Sequence, residues 1–288
     1  MQSSNIDLRL WDGSYLLRFY SSLPEKSKSY RELRSYQSEA VDKVEQKRSS
    51  GGKSALIVMA TGLGKSLVAS GLISNELQRN PSQEILVLAH MTDLAKQLEI
   101  ASWPQLNKQW STHLWTDGEV PTYTGGVTFA TWQSIIGKLK TEPLEGRYGL
   151  VIVDEAHHAP SLSFTHLLRE LKPNFLVGMT ATPWRGDEIS LDNLFGPPTF
   201  VKDIIDGMQQ GFLAEVDYRM LTDGINWDEI AVMSKQGYTI RDLNAKLILP
   251  DRDVAIVDKF AEHFSLIEKP RGMVFCRTKL HADRLQPL

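Results

Sequence analysis

The amino-acid sequence predicts an α/β fold in which a parallel β-sheet is flanked by helices. Short apolar runs rich in Val, Ile and Leu show little polar alternation, which is typical of strands buried on both faces. They cover residues 55–59, 85–89, 127–130, 150–153 and 175–179. Between these runs, apolar residues recur at helical spacing, as in residues 65–77 and 92–100. Strands that alternate with helices predict a parallel sheet covered by helices.

Less regular segments flank this predicted sheet. A helix is predicted from Tyr36 up to the break at Ser50-Gly51-Gly52. Near the end of the chain, a helical pattern over residues 251–264 and an apolar run over 273–276 predict the opening of a second α/β domain. The predicted divisions are a leader over 1–30, a first domain over 31–221, a linker over 222–249 and an incomplete second domain over 250–288. One strand cannot bury a sheet, so we expect the last segment to be poorly anchored or to pack onto the first domain.

Composition limits the broad class of protein. Of 288 residues, 42% are apolar and 23% are charged, as in ordinary globular domains. The 32 Lys and Arg nearly balance the 35 Asp and Glu, so any binding to nucleic acid must come from a local patch. The single cysteine, Cys276, excludes a disulfide framework and is expected in the core. No signal peptide and no apolar run of roughly 20 residues is visible, so we expect a cytoplasmic protein without a membrane partner.

A glycine-rich segment with the sequence ATGLGKS follows the first predicted strand and opens a predicted helix. This context is the one that a phosphate-binding loop requires. Gly62 and Gly64 let the backbone wrap a phosphate chain, Lys65 would reach the β- and γ-phosphates, and Ser66 would place its hydroxyl on Mg²⁺. Met59 departs from the general pattern, which has glycine there, and a chance glycine-rich turn is the alternative. The candidate ATP ligands are Thr61, Gly62, Leu63, Gly64, Lys65 and Ser66.

Two carboxylates, Asp154 and Glu155, end the strand predicted at 150–153 and precede two histidines. At the carboxyl end of a parallel strand they would face the ligand crevice. Asp154 suits Mg²⁺ coordination, and Glu155 suits polarisation of an attacking water as a general base. The alternatives are two exposed loop carboxylates, or a metal site that uses His157 and His158. The histidine site lacks both zinc-motif spacing and a cysteine cluster.

The segment from Asp154 to His157 resembles the motif that names the DEAH-box helicases of superfamily 2. Further segments are similar to this family's motifs in the same order: the glutamine motif (33–37), motif Ia (87–90), a backbone-contacting motif (129–134), motif III (179–183) and motif IV (272–276). Other features resemble the branch of XPB-like and RadD-like repair helicases and of type I and type III restriction-enzyme motors. These are His157-His158, Trp184-Arg185, 195–198 and 211–213.

The resemblance implies that two RecA-like domains clamp ATP and a nucleic-acid strand between them. It implies a catalytic set of Lys65, Asp154, Glu155 and His157, with Mg²⁺ held by Ser66 and Asp154. Arg34 and Gln37 would bind the nucleotide, with Gln37 reading the adenine edge. His90 and Thr131 would contact the nucleic-acid backbone, and Trp132 would either stack on a base or belong to the core. Thr180 and Thr182 would couple the two sites, with plain strand-end capping as the alternative.

The function that the resemblance implies is an ATP-dependent helicase or translocase. Its branch favours DNA over RNA, and repair, restriction or defence as the setting. Motifs V and VI, with the arginine finger of motif VI, are not found in the chain, so we expect a missing C-terminal half or a partner chain to supply that arginine. A truncated, non-catalytic ATP- and DNA-binding module is the alternative. A metabolic P-loop kinase would leave Gln37 and 180–182 unexplained.

Overall fold

The computed structural model describes most of the chain, and its residues separate into two compact units, Met1–Glu215 and Val216–Leu288. The described residues are 8–11, 16–19, 30–106, 110–121, 125–139, 141, 143–159, 162–182, 191–216, 249–265, 268–269, 271–276 and 279–285. None of the helices in these ranges is both long enough and apolar enough to cross a lipid bilayer.

One mixed sheet organises the first unit. Its strands are β1 (Leu8–Trp11), β2 (Leu16–Phe19), β3 (Ser54–Met59), β4 (Glu84–Ala89), β5 (Thr112–Trp115), β6 (Val127–Thr131), β7 (Tyr148–Val153), β8 (Phe175–Thr180) and β9 (Pro198–Lys202). Their order across the sheet is β1-β2-β5-β6-β4-β7-β8-β3-β9. In this order across the sheet, every neighbouring pair between β5 and β9 is parallel. The pairs β1 with β2 and β2 with β5 are antiparallel. The parallel strands therefore present their carboxyl ends at one edge.

Helices cover both faces of this sheet. They are α1 (Ser35–Ser49), α2 (Lys65–Arg79), α3 (Thr92–Ser102), α4 (Trp132–Leu139), α5 (Leu162–Leu171), α6 (Asp192–Phe195) and α7 (Ile204–Gln209). Successive strand residues point to opposite faces, so Ile57 packs with α1, α2 and α3, whereas Leu56 packs with α4, α5 and α6. Burial on both faces explains why these strands are continuous apolar runs.

The five strands predicted from apolar runs are confirmed as β3, β4, β6, β7 and β8, and the predicted helices as α1, α2 and α3. Three features of the first unit were not predicted. The strand pair β1 and β2 lies within the predicted leader, β5 lies between two predicted elements, and β9 begins at Pro198 of the Gly196-Pro197-Pro198 segment. The sequence also predicts a helical stretch between this segment and Gly211, and α7 confirms it. The short α7 follows β9.

The second unit contains α8 (Leu249–Phe264) and α9 (Lys279–Leu285) in its described part. Helix α8 confirms the prediction for residues 251–264. The strand predicted at 273–276 is wrong, because the described residues 271–276 form no ladder, and Met273 and Phe275 are 76% and 90% exposed. An apolar run needs a neighbouring strand, and none is present in the described part of this unit. The sequence also predicts a short extended run over residues 216–221, which from residue 217 onward lies outside the described residues.

Candidate functional site

The phosphate loop connects β3 to α2. Gly62 and Gly64 have φ angles of +87° and +84°, which only glycine adopts at little cost. A Cβ on Gly62 would lie 3.0 Å from Leu213 Cδ2, and one on Gly64 would lie 2.5 Å from Gln37 Nε2. Both glycines are therefore required by backbone angle and by close neighbours. The first turn of α2 begins at Lys65, so Ser66 lies next to the loop as predicted for a phosphate site.

Helix α1 holds this loop from one side. The Tyr36 hydroxyl and the Gln37 side-chain amide both donate to the Leu63 carbonyl oxygen, at 2.9 and 2.8 Å. Gln37 Oε1 in turn accepts a hydrogen bond from the Arg34 backbone N–H at 2.9 Å. Both ends of the Gln37 amide are thus engaged with protein. An amide nitrogen can donate two hydrogen bonds and an amide oxygen can accept two, so these contacts do not prevent Gln37 from reading an adenine edge, which stays a prediction.

A short segment after α7 rests on the same loop. The Phe212 ring lies 4.5 Å from the Tyr36 ring, centroid to centroid, and the Arg34 guanidinium carbon lies 5.4 Å from the Phe212 centroid. Leu213 packs on Gly62 and would also meet a Cβ on Gly207 at 2.8 Å. Tyr36 and the Phe212-Leu213 pair were missed as site residues. Residues 211–213 were noticed only for their resemblance to a branch, because their distance from the loop in sequence hides the contact.

The acidic pair begins where β7 ends. The Asp154 N–H donates to the Leu88 carbonyl oxygen at 2.9 Å, which ties the pair to β4. Glu155 adopts a left-handed backbone conformation with φ of 48°, an angle that non-glycine residues adopt at a cost and that often occurs at functional sites. Its carboxylate lies 3.9 Å from Lys65 Nζ through Oε1 and 3.2 Å from His157 Nδ1 through Oε2. The phosphate loop and the acidic pair therefore face each other across the strand ends.

The environment of Asp154 suits a divalent cation. Burial raises the pKa of Asp154, and the neighbouring Glu155 charge raises it further, while the charges of Lys65 and His90 and a backbone hydrogen bond lower it in part. A cation placed between the carboxylates would relieve this penalty, so the residues present fit Mg²⁺. Among the described residues, no three His, Cys, Asp or Glu side chains are grouped to hold a metal ion by themselves.

His157 connects the acidic pair to the end of β8. Its Nδ1 lies 3.1 Å from the Thr180 hydroxyl oxygen, in addition to its contact with Glu155. That hydroxyl donates to the Thr182 carbonyl oxygen and accepts from the Thr182 N–H, both at 3.1 Å. Thr180 therefore both caps its strand and contacts the acidic segment, while Thr182 takes part through its backbone. Trp184 and Arg185 lie outside the described residues.

The two predicted nucleic-acid contacts lie on adjacent strands, since Ala89 of β4 pairs with Thr131 of β6. His90 follows β4 directly. Thr131 is only 6% exposed, and its hydroxyl lies 2.8 Å from the Ser134 hydroxyl at the start of α4. Trp132 packs edge-to-face on Phe164, with ring centroids 5.7 Å apart, which favours the core role over stacking on a base. Contact of His90 and Thr131 with a nucleic-acid strand stays a prediction.

A phosphate loop after the first strand of a parallel sheet, faced by a carboxylate pair two strands away, defines the class of P-loop proteins with a RecA-like fold. The chain belongs to the family described as "Type III restriction enzyme, res subunit", which matches residues 30–185. This confirms the resemblance to the motor branch of superfamily 2.

Relatives and solved structures agree with this assignment. The chain is 24% identical over 308 residues to a type I restriction enzyme EcoAI endonuclease subunit from Escherichia coli, covering 96% of the chain and 37% of that protein. It is 31% identical over 158 residues to the DNA 3'-5' translocase XPB2 from Sulfurisphaera tokodaii, covering 54% of the chain and 32% of that protein. A solved fragment of a type I restriction enzyme HsdR subunit from Vibrio vulnificus has the same fold, with a TM-score of 0.57, 24% identity and coverage of 90% of this chain and 45% of that one. The chain thus covers less than half the length of each of these proteins.

Proposed function

We propose that this chain carries the first ATP-binding domain of a DNA helicase or translocase, which couples ATP hydrolysis to movement along a DNA strand in restriction, defence or repair. The observation that carries the proposal is the connection of Lys65, Glu155, His157 and Thr180 across the ends of three strands. The family assignment and the names of the relatives, which include a restriction endonuclease subunit and a DNA translocase, support DNA as the polymer. The proposed divisions are a leader over 1–30, the ATP-binding domain over 31–221, a linker over 222–249 and a second RecA-like domain that begins at 250.

The proposed chemistry assigns one task to each side chain. Lys65 would neutralise charge on the transferring phosphate, while Asp154 and the Ser66 hydroxyl would hold Mg²⁺. When bound, Mg²⁺ offsets charge on the phosphate oxygens. Glu155 would take the proton of the attacking water, and its contacts with Lys65 and His157 fix both of its oxygens in position. The loop conformation that Gly62 and Gly64 permit would let backbone N–H groups face a phosphate.

Coupling to movement is proposed to run through His157 and Thr180, because Thr180 ends a strand next to both β3 and β7. The arginine finger that the family resemblance requires is proposed to come from a second RecA-like domain or from a partner chain. A different domain arrangement must be favoured in each nucleotide state, or no stepping follows.

A second candidate function is an ATP- and DNA-binding module that needs a partner for hydrolysis. The observation that favours it is the second unit, whose described part contains two helices and no strand. Within that described part, no strand end is present to carry an arginine finger. The two candidates share ATP binding and differ in turnover.

Steady-state ATP hydrolysis by the 288-residue chain tests the proposal, with and without single-stranded DNA, duplex DNA and RNA. We expect duplex or single-stranded DNA to raise the rate more than RNA does. Lys65→Ala should abolish nucleotide binding, and Glu155→Gln should retain binding but lower the rate by about 10²-fold or more. Lys172→Ala is the matched lysine control, because Lys172 is exposed and pairs only with exposed Glu145 among the contacts described for it.

The outcomes separate the candidates. DNA-stimulated turnover that depends on Lys65 supports the motor. Nucleotide and DNA binding without turnover supports the module. Nucleotide binding that survives Lys65→Ala, or measurable turnover that no polymer changes, contradicts both.

A further inference from the structure

Three imidazole rings lie in series at the carboxyl edge of the sheet. The rings of His157 and His158 have centroids 4.2 Å apart and planes inclined by 41°. The rings of His158 and His90 have centroids 4.4 Å apart and planes inclined by 38°. His158 is therefore the middle ring of a stack that joins the turn after β7 to the turn after β4. We call these three residues the histidine stack.

The two ends of the histidine stack meet different parts of the molecule. At one end, His157 contacts the Glu155 carboxylate and the Thr180 hydroxyl. At the other end, His90 follows β4, beside the strand end that carries Thr131. The His90 Nδ1 atom is buried and has no hydrogen-bond partner among the described residues. A buried nitrogen without a partner is costly, so a rearrangement that gives this atom a partner is favoured.

We propose that His158 is a positioning residue that couples DNA contact near His90 to the orientation of Glu155, through direct ring contacts in the histidine stack. The inference rests on the proposed function and adds to it a route between the two sites. His158 lies between the two ends of the stack: its ring contacts His90 on one side and His157 on the other. It acts by fixing the ring of His157, which in turn holds one oxygen of Glu155.

Packing makes such a route physically reasonable. Contact between planar rings stabilises their arrangement beyond the area it buries, so two contacts tie the three rings into one unit. Backbone hydrogen bonds fix the turn that carries His157 and His158: the His158 N–H donates to the Glu155 carbonyl oxygen at 2.9 Å, and the Asp154 N–H ties the start of this turn to β4 through the Leu88 carbonyl oxygen at 2.9 Å. A shift of the turn after β4 therefore displaces the ring of His158 against that of His157. A smaller side chain at 158 would leave a gap and break the series.

The test is the reciprocal coupling between nucleotide and DNA, measured on the full chain without need for turnover. The affinity of a fluorescent, slowly hydrolysed ATP analogue is measured with and without saturating 30-base-pair duplex DNA. In the unmodified protein we expect DNA to change this affinity by about tenfold, within the usual range of coupling. His158→Ala should reduce the factor to about twofold or less, while each affinity measured alone and the melting temperature stay close to their original values.

Two further variants sharpen the test. His158→Phe keeps an aromatic ring of similar size and should restore most of the coupling. His166→Ala removes an exposed histidine on α5 and should leave the factor unchanged. Phenylalanine cannot make the hydrogen bonds of an imidazole. Restored coupling in His158→Phe would therefore assign the effect to ring packing.

Each outcome decides something. Unchanged coupling in His158→Ala overturns the inference, as does a loss of nucleotide affinity alone that accounts for the whole effect. Binding of both ligands by the unmodified protein with no coupling also overturns it, while ATP and DNA binding stand. Failure of the unmodified protein to bind nucleotide or DNA at all removes the proposed function first.

Discussion

Substitution of Gly64 by alanine should weaken nucleotide binding far more than it weakens the fold. The φ angle of +84° costs a residue with a Cβ about 1–2 kcal/mol. The new Cβ would also lie 2.5 Å from Gln37 Nε2, so the amide must move and release the Leu63 carbonyl oxygen that it holds at 2.8 Å. A lost hydrogen bond of this kind costs about 0.5–1.5 kcal/mol, and the Tyr36 hydroxyl remains as a second donor.

The combined penalty is about 2–3 kcal/mol if the loop keeps its conformation. The loop can escape the penalty only by shifting, and a shifted loop no longer presents its N–H groups to phosphate. We therefore expect the affinity for a fluorescent ATP analogue to fall by about 30-fold or more, since 1.4 kcal/mol corresponds to tenfold.

Gly51→Ala is the matched control for this experiment. Gly51 has a φ angle of +90°, but a Cβ there would meet nothing within 4 Å. It should lower the melting temperature by a few degrees through backbone strain and leave nucleotide affinity unchanged. Equal nucleotide affinity in the two variants would refute the reasoning, because it would mean that the contact between Gly64 and Gln37 does not shape the loop.

Three further predictions concern stability. Burial and the Glu155 charge raise the pKa of Asp154. The contribution of Asp154 to folding stability is therefore fully present below the ordinary pKa of 3.8 and is lost as pH rises through the raised value. Asp154→Asn should increase the melting temperature at neutral pH and change it little in acid. Burial raises the pKa of Glu76, but hydrogen bonds from Arg48 and Asn80 and the charges of Arg48 and Arg79 outweigh it, so the net pKa is lowered and the contribution of Glu76 is lost as pH falls. Glu76→Gln should then cost about 3 kcal/mol in urea unfolding at neutral pH and less in acid. Gly178→Ala should cost about 1–3 kcal/mol, because its Cβ would lie 2.8 Å from the Phe195 ring, whereas Gly137→Ala in α4 has open space and should be neutral or stabilising by the same assay.

Most of the parallel sheet could be predicted because its strands are buried on both faces and are therefore apolar throughout. The strand β5 was not predicted because it contains the buried polar residues Thr112 and His113, and polar residue types do not indicate burial. His113 is held by a hydrogen-bonding contact of its Nε2 with the Gly125 carbonyl oxygen at 2.7 Å, and burial lowers its pKa. The hydrogen-bonding partner of His113 is distant in the chain, so no local sequence pattern predicts that this histidine is buried.

The strand β9 was missed for a different reason. It begins at Pro198 and lies at the edge of the sheet, where a missing N–H is tolerated, and its Val201 is 55% exposed. Edge strands carry a weaker apolar signal than central ones. Residues 273–276 show the opposite error, a predicted strand that the structure does not form. An apolar run forms a strand only when a neighbouring strand pairs with it.

For the candidate site, the sequence predicted which residues gather but not how they contact one another. Residue types and spacing placed Lys65 and Glu155 at strand ends, and parallel topology brings strand ends to one edge. Two contacts depend on side-chain placement in three dimensions: the hydrogen bond from Tyr36 to the loop and the packing of Leu213 against Gly62. The histidine stack has the same origin, since nothing in the spacing of His90 and His158 predicts that their rings meet.

The order of the strands explains why a route between the two predicted sites has to pass the acidic pair. Across the sheet the order is β6-β4-β7-β8-β3, and the phosphate loop follows β3 while the predicted strand contacts follow β4 and β6. The ends of β7 and β8 lie between them, and these carry Glu155, His157 and Thr180. Any displacement that travels along the edge from His90 towards Lys65 must therefore move the turn after β7 or the end of β8. The position of Glu155, the proposed general base, between the two predicted sites is thus a consequence of topology, and contacts across that edge are where coupling should be sought.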